Sequence, residues 1–468
     1  MHMKINRNLL LLVVAAGLFL LGAVLSREWL GLPLPKMTAT GSQVGQRGPI
    51  GLVFSQAMQT NTVEQRWHIQ PDVKGKFEWG KNTTLWFFPE QPLHAGETYQ
   101  ISLSRGSVSL DGKVIEQDAG WQVIAREPEI IYQTPSGENS DLWVRSLKLG
   151  QPRQLTVGKK PYDYALSFDG EQIAFAATNE QKGYDLWVMD RDGKNQRMLV
   201  ECVAGWCINP TWSPDGQQVA YSKRGVVVGS QGMRIQIAHS QEKSAAGMNS
   251  LADPRIWTVD ISTGQTNPLY ADLNITGTNP TWSPDGRWLA FIDIISGGIR
   301  IMDLETKQDK VFQANTPVLG AWSTDGSKLF FADLDTSDLP SFGTAYQVKF
   351  PGQAVVGLFE KGPDQADYGL PVESPDGMWM AVGIRFVQGS SSRQLWLLSP
   401  DGSKQKIISG DQVITHGAYS WSPEGNTLVF QQVALDSSSA RPAVMIWDAN
   451  SDAMTLIAQD ANQPQWLP

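Results

Sequence analysis

The stretch Trp212-Ser213-Pro214-Asp215-Gly216 decides the fold, because near-copies of it recur along the chain. Successive copies start 46, 70, 40, 51 and 48 residues apart, with first residues Leu166, Trp212, Trp282, Trp322, Glu373 and Trp421. The Ser side chain can bond the backbone two residues on, Pro presets the second turn position, and Asp and Gly suit the positions that follow. The stretch therefore predicts a repeated tight turn, so its six acidic residues are structural and do not form a ring of catalytic acids or ligands.

The spacing of the copies predicts a β-propeller. A period in the forties with several short strands in each unit is typical of propeller blades. The C-terminal Asn462–Trp466 repeats the lead-in Ile208–Trp212, and Glu129–Tyr132 begins a unit that lacks its first strand. We expect the C-terminal strand to complete this N-terminal blade, which gives seven blades over 127–468, with six as the alternative.

These six copies resemble the WD-like repeats of TolB and its relatives, over most of 127–468. The resemblance implies a propeller that works at the cell envelope through protein contacts. On that basis we predict a non-catalytic, envelope-anchored binding or scaffold protein that acts through one propeller face. The expected partner is an envelope protein or a cell-wall polymer.

Residues 48–126 predict a separate antiparallel β-sandwich. Short runs with apolar residues at every second position, such as Ile50–Phe54, Thr84–Phe88 and Gly120–Ile124, are separated by turn residues. Pro49–Met58 and Leu93–Tyr99 resemble the bacterial Ig-like domain of SbsA-type surface-layer proteins. The resemblance implies a spacer without catalytic residues. Both folded parts of the chain are thus predicted to be all-β.

The N-terminus reads as an export signal or a membrane anchor. Lys4 and Arg7 precede Leu9–Leu25, an uncharged apolar run of 17 residues. A run of this length fits either a cleaved signal peptide or a short transmembrane helix with its positive end inside. We therefore predict an anchor over 1–30, a tether over 31–47, and an extracytoplasmic body that is secreted if the signal is cleaved.

The charge balance argues against nucleic acid as a partner. The formal net charge is -9, and Lys and Arg form no block or stripe that would meet a phosphate backbone. The same balance leaves the N-terminal helix as the predicted contact with a membrane. No cofactor is predicted.

One corner of the propeller is the predicted interaction site. Cys202 and Cys207 are the two cysteines of an exported chain, and a local disulfide is preferred over two free thiols. An insertion over 224–254 explains the spacing of 70 and is expected on the same face as the cysteine loop. The candidate contact residues are Trp206, Arg224, Met233, Arg234, His239 and Met248.

The sequence shows no catalytic constellation. It has no Gly-x-Ser-x-Gly elbow followed by a suitably placed His, and its five His residues are scattered. We therefore predict that the chain is not an enzyme and has no catalytic or metal-binding residues. The alternative is a propeller hydrolase or lyase with a metal in the central channel, for which Asn209, Asn279 and His416 stand at strand starts.

Overall fold

The computed structural model describes residues 37–39, 43–148, 150–202, 205–225, 254–335, 342–350, 354–364, 366–386, 391–436 and 439–468. The chain forms two compact units, one over 49–125 with the preceding residues to Val44, and one over 126–468 with Gly45–Gly48. No helix in the described ranges is long and apolar enough to cross a membrane. The predicted anchor over 1–30 lies outside those ranges.

The first unit is a sandwich of two four-stranded sheets. Its elements are β1 (Met37–Ala39), β2 (Gln43–Val44), β3 (Ile50–Phe54), α1 (Thr60–Glu64), β4 (Trp67–Gln70), β5 (Gly75–Gly80), β6 (Thr84–Pro89), β7 (Thr98–Leu103) and β8 (Ala119–Ala125). The sheet orders are β1-β3-β6-β5 and β2-β8-β7-β4. Alternate side chains from both sheets, among them Leu52, Phe87 and Ile101, bury one shared core.

The segment 31–47, predicted as a tether, is structured at its C-terminal end. β1 pairs with β3, and β2 pairs in parallel with β8. Gln46 is fully buried within the second unit, where its amide donates a hydrogen bond of 2.7 Å to Glu424. Residues 43–46 are therefore not a free tether.

The second unit is a β-propeller of seven blades in the described part of the chain. Blades 1 to 4 contain β9 (Glu129–Thr134), β10 (Asp141–Ser146) and β11 (Arg153–Gln154); β12 (Pro161–Leu166), β13 (Gln172–Thr178), β14 (Tyr184–Asp190) and β15 (Arg197–Val200); β16 (Trp206–Trp212), β17 (Gln218–Arg224), β18 (Arg255–Asp260) and β19 (Thr266–Pro268); and β20 (Gly277–Trp282), β21 (Trp288–Asp293), β22 (Gly298–Asp303) and β23 (Asp309–Gln313). Blades 5 to 7 contain β24 (Val318–Trp322), β25 (Lys328–Asp335), β26 (Phe342–Lys349) and β27 (Ala354–Gly357); β28 (Ala366–Tyr368), β29 (Val372–Glu373), β30 (Met380–Phe386), β31 (Gln394–Leu398) and β32 (Gln405–Ser409); and β33 (Ile414–Trp421), β34 (Thr427–Ala434), β35 (Ala443–Asp448) and β36 (Ala453–Gln459).

The last strand, β37 (Asn462–Leu467), closes the ring. It pairs antiparallel with β9, so that it becomes the innermost strand of blade 1. Trp466 lies opposite Ile130 in this ladder, and Leu467 is fully buried. The predicted propeller and its seven blades are confirmed, and the six-blade alternative is wrong.

The repeated turn has the chemistry that the sequence predicts. In the copy after β16, the Ser213 hydroxyl donates to Asp215 at 2.5 Å and the Gly216 amide donates to the Ser213 carbonyl at 2.9 Å. The indole of Trp212 donates to the Ala165 carbonyl of the preceding blade at 3.1 Å. The Asp215 carboxylate is thus occupied within its own turn, and the Trp212 indole links neighbouring blades.

Candidate functional site

The inner edge of each blade brings one residue to the central channel; all lie in a strand except Leu370, which lies between β28 and β29. In blades 2 to 7 this residue lies four positions before the Ser of the repeated turn, and Gln463 takes the matching place in β37. These residues are half-buried or exposed although their strands are innermost, so we assign them to the channel wall. We call the set the channel ring: Asp163, Asn209, Asn279, Leu319, Leu370, Ala418 and Gln463.

The channel ring is polar on one side and apolar on the other. Asp163 accepts hydrogen bonds from the Asn209 backbone amide at 2.6 Å and from the Asn209 side-chain amide at 3.3 Å. Thr278 extends the network by donating to the Asn209 side-chain oxygen at 3.1 Å. Three consecutive blades therefore share one hydrogen-bonded polar wall, which faces Leu319, Leu370 and Ala418 of blades 5 to 7.

Asp163 is the one ionisable residue of the channel ring, and its pKa is strongly shifted. Burial raises the pKa of its carboxyl to about 7, against the lowering effect of the Asn209 amide that bonds it. Asn209 occupies Oδ2, while Oδ1 is buried and has no hydrogen-bond partner in the described part of the chain. A carboxyl that titrates near neutrality with one oxygen unpaired is suited to take up and release a proton.

The backbone conformation explains why two positions of the channel ring are Asn. Asn209 has φ 55° and Asn279 has φ 54°, in the left-handed region that Asn tolerates better than most residues. Each lies at an irregularity where the inner strand shifts register against its neighbour. Asp163 has no left-handed backbone, so the turn of the chain does not explain its carboxylate.

Sequence reasoning missed Asp163. Aligning the blades on the Ser of each turn places Asp163 in the same column as Asn209 and Asn279, both of which the sequence had suggested as channel residues. The column identifies the position, but only the packed structure shows that Oδ1 of the carboxyl is buried there.

His416 does not join this wall. Its Nδ1 contacts the Arg393 carbonyl at 2.8 Å, and its ring packs against Phe430 with the centroids 5.8 Å apart. The side chain is 4% exposed, and burial lowers its pKa. Its recorded contacts are thus with blades 6 and 7, and not with Asn209 or Asn279.

The predicted interaction corner is described in part. Met233, Arg234, His239 and Met248 lie outside the described residues. Trp206 and Arg224 pair across β16 and β17, and the Arg224 guanidinium lies 5.6 Å from the Trp206 ring centroid. Cys202 and Cys207 form a disulfide with their Cα atoms 6.1 Å apart.

The alternative sequence interpretation placed a metal in the channel. Across the described ranges, no three His, Cys, Asp or Glu side chains are grouped so that they could hold an ion. The polar wall offers one carboxylate together with amides and hydroxyls, which suits hydrogen bonding and proton transfer.

Comparison with known proteins finds similarity to a curated peptidase and to several propeller structures. No protein-family model matches it. The uncharacterized peptidase YuxL of Bacillus subtilis is 25% identical over 173 residues, which are 34% of this chain and 26% of that protein. The chain therefore spans well under two-thirds of this curated relative.

Two solved structures share the fold at a TM-score of 0.51 and 15% identity. One is a puromycin-hydrolyzing peptidase of Mycobacterium tuberculosis, for which the match covers 79% of this chain and 53% of the peptidase. The other is an oligogalacturonate lyase of Vibrio parahaemolyticus, for which it covers 76% of this chain and 98% of the lyase. TolB of Acinetobacter baumannii also matches, at 18% identity and a TM-score of 0.41.

These comparisons correct two predictions. The sequence predicted a non-catalytic scaffold and no enzyme, whereas YuxL and the Mycobacterium protein are named as peptidases and the Vibrio protein is named as a lyase. The sequence reasoning had searched for a nucleophile elbow or a metal cluster and found neither.

Proposed function

We propose that the propeller is a hydrolase or lyase that binds its substrate at the mouth of the central channel. Asp163 is the group that exchanges a proton with the substrate. The observation that carries this proposal is the Asp163 carboxyl itself, with a pKa raised to about 7 and a buried Oδ1 that no described residue bonds.

The polar wall fits this role. A general acid or base works best when its pKa lies near the operating pH, because both protonation states are then populated. Asn209 holds Oδ2 through two hydrogen bonds, which fixes the carboxyl plane. Oδ1 is buried, so substrate binding has to expose this oxygen before it can exchange a proton. The neighbouring amides and hydroxyls can orient polar groups of the substrate without competing for the proton.

The comparisons support the reaction class. Structures of the same fold include a peptidase and a lyase, and the lyase is matched over almost its whole length. The lyase thus consists almost entirely of the part that matches this chain. The substrate of either protein is not assigned to this chain by the shared fold.

The test is turnover by the purified chain of two probe classes, peptide nitroanilides and oligosaccharides, from pH 5 to pH 9. We expect one class to be turned over, with a pH–rate limb at about 7 that reports the Asp163 carboxyl. Absence of turnover in both classes, or a profile without a limb near neutrality, would contradict the proposal.

We further propose that the chain acts outside the cytoplasm and that its first unit is a bacterial Ig-like module of the SbsA type. The export-like run Leu9–Leu25 and the Cys202–Cys207 disulfide support the location, and the two-sheet core supports the module. Cell-wall polymers are then within reach of the channel. A reporter enzyme fused after Pro468 that is active only when exported tests the location; cytoplasmic activity would refute it.

A further inference from the structure

Three aromatic side chains form an exposed row on the face of the propeller where the channel ring opens. Tyr162 lies next to Asp163 in β12, Tyr184 begins β14, and Trp206 begins β16. The ring centroids of Tyr162 and Tyr184 are 4.9 Å apart, and those of Tyr184 and Trp206 are 6.4 Å apart. We call this set the aromatic row.

The outer members of the aromatic row are accessible from solvent. Tyr162 is 48% exposed and Trp206 is 38% exposed. The rings are tilted against each other by 39° and 65° and do not stack into a closed column. Large aromatic side chains clustered at the surface of one face indicate a binding site, since scattered single residues need no such explanation.

The backbone holds the aromatic row in place. Tyr184 and Trp206 face each other across the one parallel bridge described between blades 2 and 3, and the Tyr184 amide donates to the Gly205 carbonyl at 3.3 Å. A Cβ on Gly205 would lie 2.3 Å from the Arg224 carbonyl oxygen, so only glycine allows this approach. The disulfide from Cys202 to Cys207 clips the same loop.

The surroundings of the row are polar and carry charges of both signs, since the Arg224 guanidinium lies 5.6 Å from the Trp206 ring centroid. The pKa of Tyr184 is raised, first by burial and then by the nearby Tyr162 and the carboxylates of Asp163 and Glu138. Asn279 and Gln463 present exposed amide side chains on the channel ring. Carboxylates and amides beside an aromatic surface can bond hydroxyl groups, and the carboxylates near Tyr184 disfavour a polyanion at that end of the row.

We propose that the aromatic row of Tyr162, Tyr184 and Trp206 is a binding site for the sugar rings of a neutral oligosaccharide. A pyranose ring has an apolar C–H face and a hydroxyl edge. The aromatic faces pack against the first, and Glu138 and the ring amides bond the second. An apolar peptide would leave those polar groups without partners, which is costly when they are desolvated.

This inference names the substrate class of the proposed function. It rests on the proposed function in one respect only, that a sugar bound to the row lies beside the catalytic Asp163. Binding by the row does not require turnover. The two ideas can therefore fail separately.

The test uses calorimetry to measure how the full chain binds four ligands: neutral cello-oligosaccharides, neutral chito-oligosaccharides, oligogalacturonate and an apolar peptide of similar length. Trp206→Ala and Tyr162→Ala are expected to weaken binding of the neutral sugars about ten-fold or more, because aromatic anchors dominate such sites. Phe168→Ala is the matched control, since Phe168 is 45% exposed but lies in a turn on the opposite face. Circular dichroism and thermal unfolding check that each variant folds.

Each outcome of this test either supports the inference or overturns it. Neutral sugars that bind the wild type and the Phe168 variant, but bind the two row variants weakly, support the inference. No binding of the neutral sugars, equal affinity in all variants, or preference for oligogalacturonate or the peptide overturns it. Turnover assays on the same proteins separate the two ideas: sugar binding without turnover by the wild type refutes only the proposed function, and turnover of peptides without sugar binding refutes only the row.

Discussion

Asp163→Asn is expected to lower turnover by a factor of about 100 to 10,000, the usual contribution of a positioned general acid or base. Asn has nearly the shape of Asp, and its side-chain oxygen can still accept both hydrogen bonds from Asn209. The variant therefore keeps the polar wall and loses only the proton. Steady-state kinetics on whichever probe class the wild type turns over measure the effect.

The same substitution is expected to stabilise the fold at alkaline pH. The folded pKa of Asp163, at about 7, lies above its value in an unfolded chain. The wild type therefore loses stability as the pH rises from about 4 to 7, by up to about 4 kcal/mol, whereas the neutral amide of the variant carries no such penalty. Urea unfolding at pH 5 and pH 8 should show a gain in the variant that is larger at pH 8.

Asp215→Asn is the matched control. Asp215 is exposed, and its carboxylate accepts bonds from Ser213 and Gln217 within its own turn. We expect this variant to keep full turnover and to lose a little stability. Unchanged turnover in Asp163→Asn, or equal loss in both variants, would contradict the role of Asp163.

Removal of β37, by ending the chain after Ala461, is expected to abolish cooperative folding of the propeller. Trp466 is 5% exposed and Leu467 is fully buried, and truncating either type of side chain in a core costs roughly 2–5 kcal/mol. The deletion also leaves β9 with an unpaired edge. Because domains are only marginally stable, we expect these combined losses to exceed the free energy of unfolding of the propeller.

A peptide spanning 460–468 should restore folding when it is added in trans, since the ladder to β9 is the strand's principal attachment. Scrambling the peptide sequence is the control. A truncated chain that unfolds in the wild-type transition, or rescue by the scrambled peptide, would show that the last strand does not close the ring. Denaturant titration followed by circular dichroism gives both measurements.

The repeated turns made most of the fold predictable. Six copies of one turn set the blade period, and Trp466 identified the strand that completes blade 1. The structure of residues 43–48 was harder to predict, because the sequence does not show which surfaces bury these side chains. Gln46 has no sequence signature, yet it is fully buried against the propeller.

The candidate site was less predictable for a physical reason. A pKa shift arises from burial and neighbouring charges, and neither can be read from Asp163 and its sequence neighbours alone. The aromatic row likewise depends on a single parallel bridge between two blades, which brings Tyr184 beside Trp206 although they are far from Tyr162 in sequence. Sequence reasoning identified Trp206 and Arg224 but not what they contact.

The most direct test of the account is the pKa of Asp163, measured by carbon NMR on protein labelled at the Asp carboxyl carbons and assigned with Asp163→Asn. The structure predicts a titration midpoint at about 7 for this carboxyl, set by its burial in the channel wall. A midpoint close to that of an exposed aspartate, at about 4, would contradict the claim that Asp163 is the proton-transferring group.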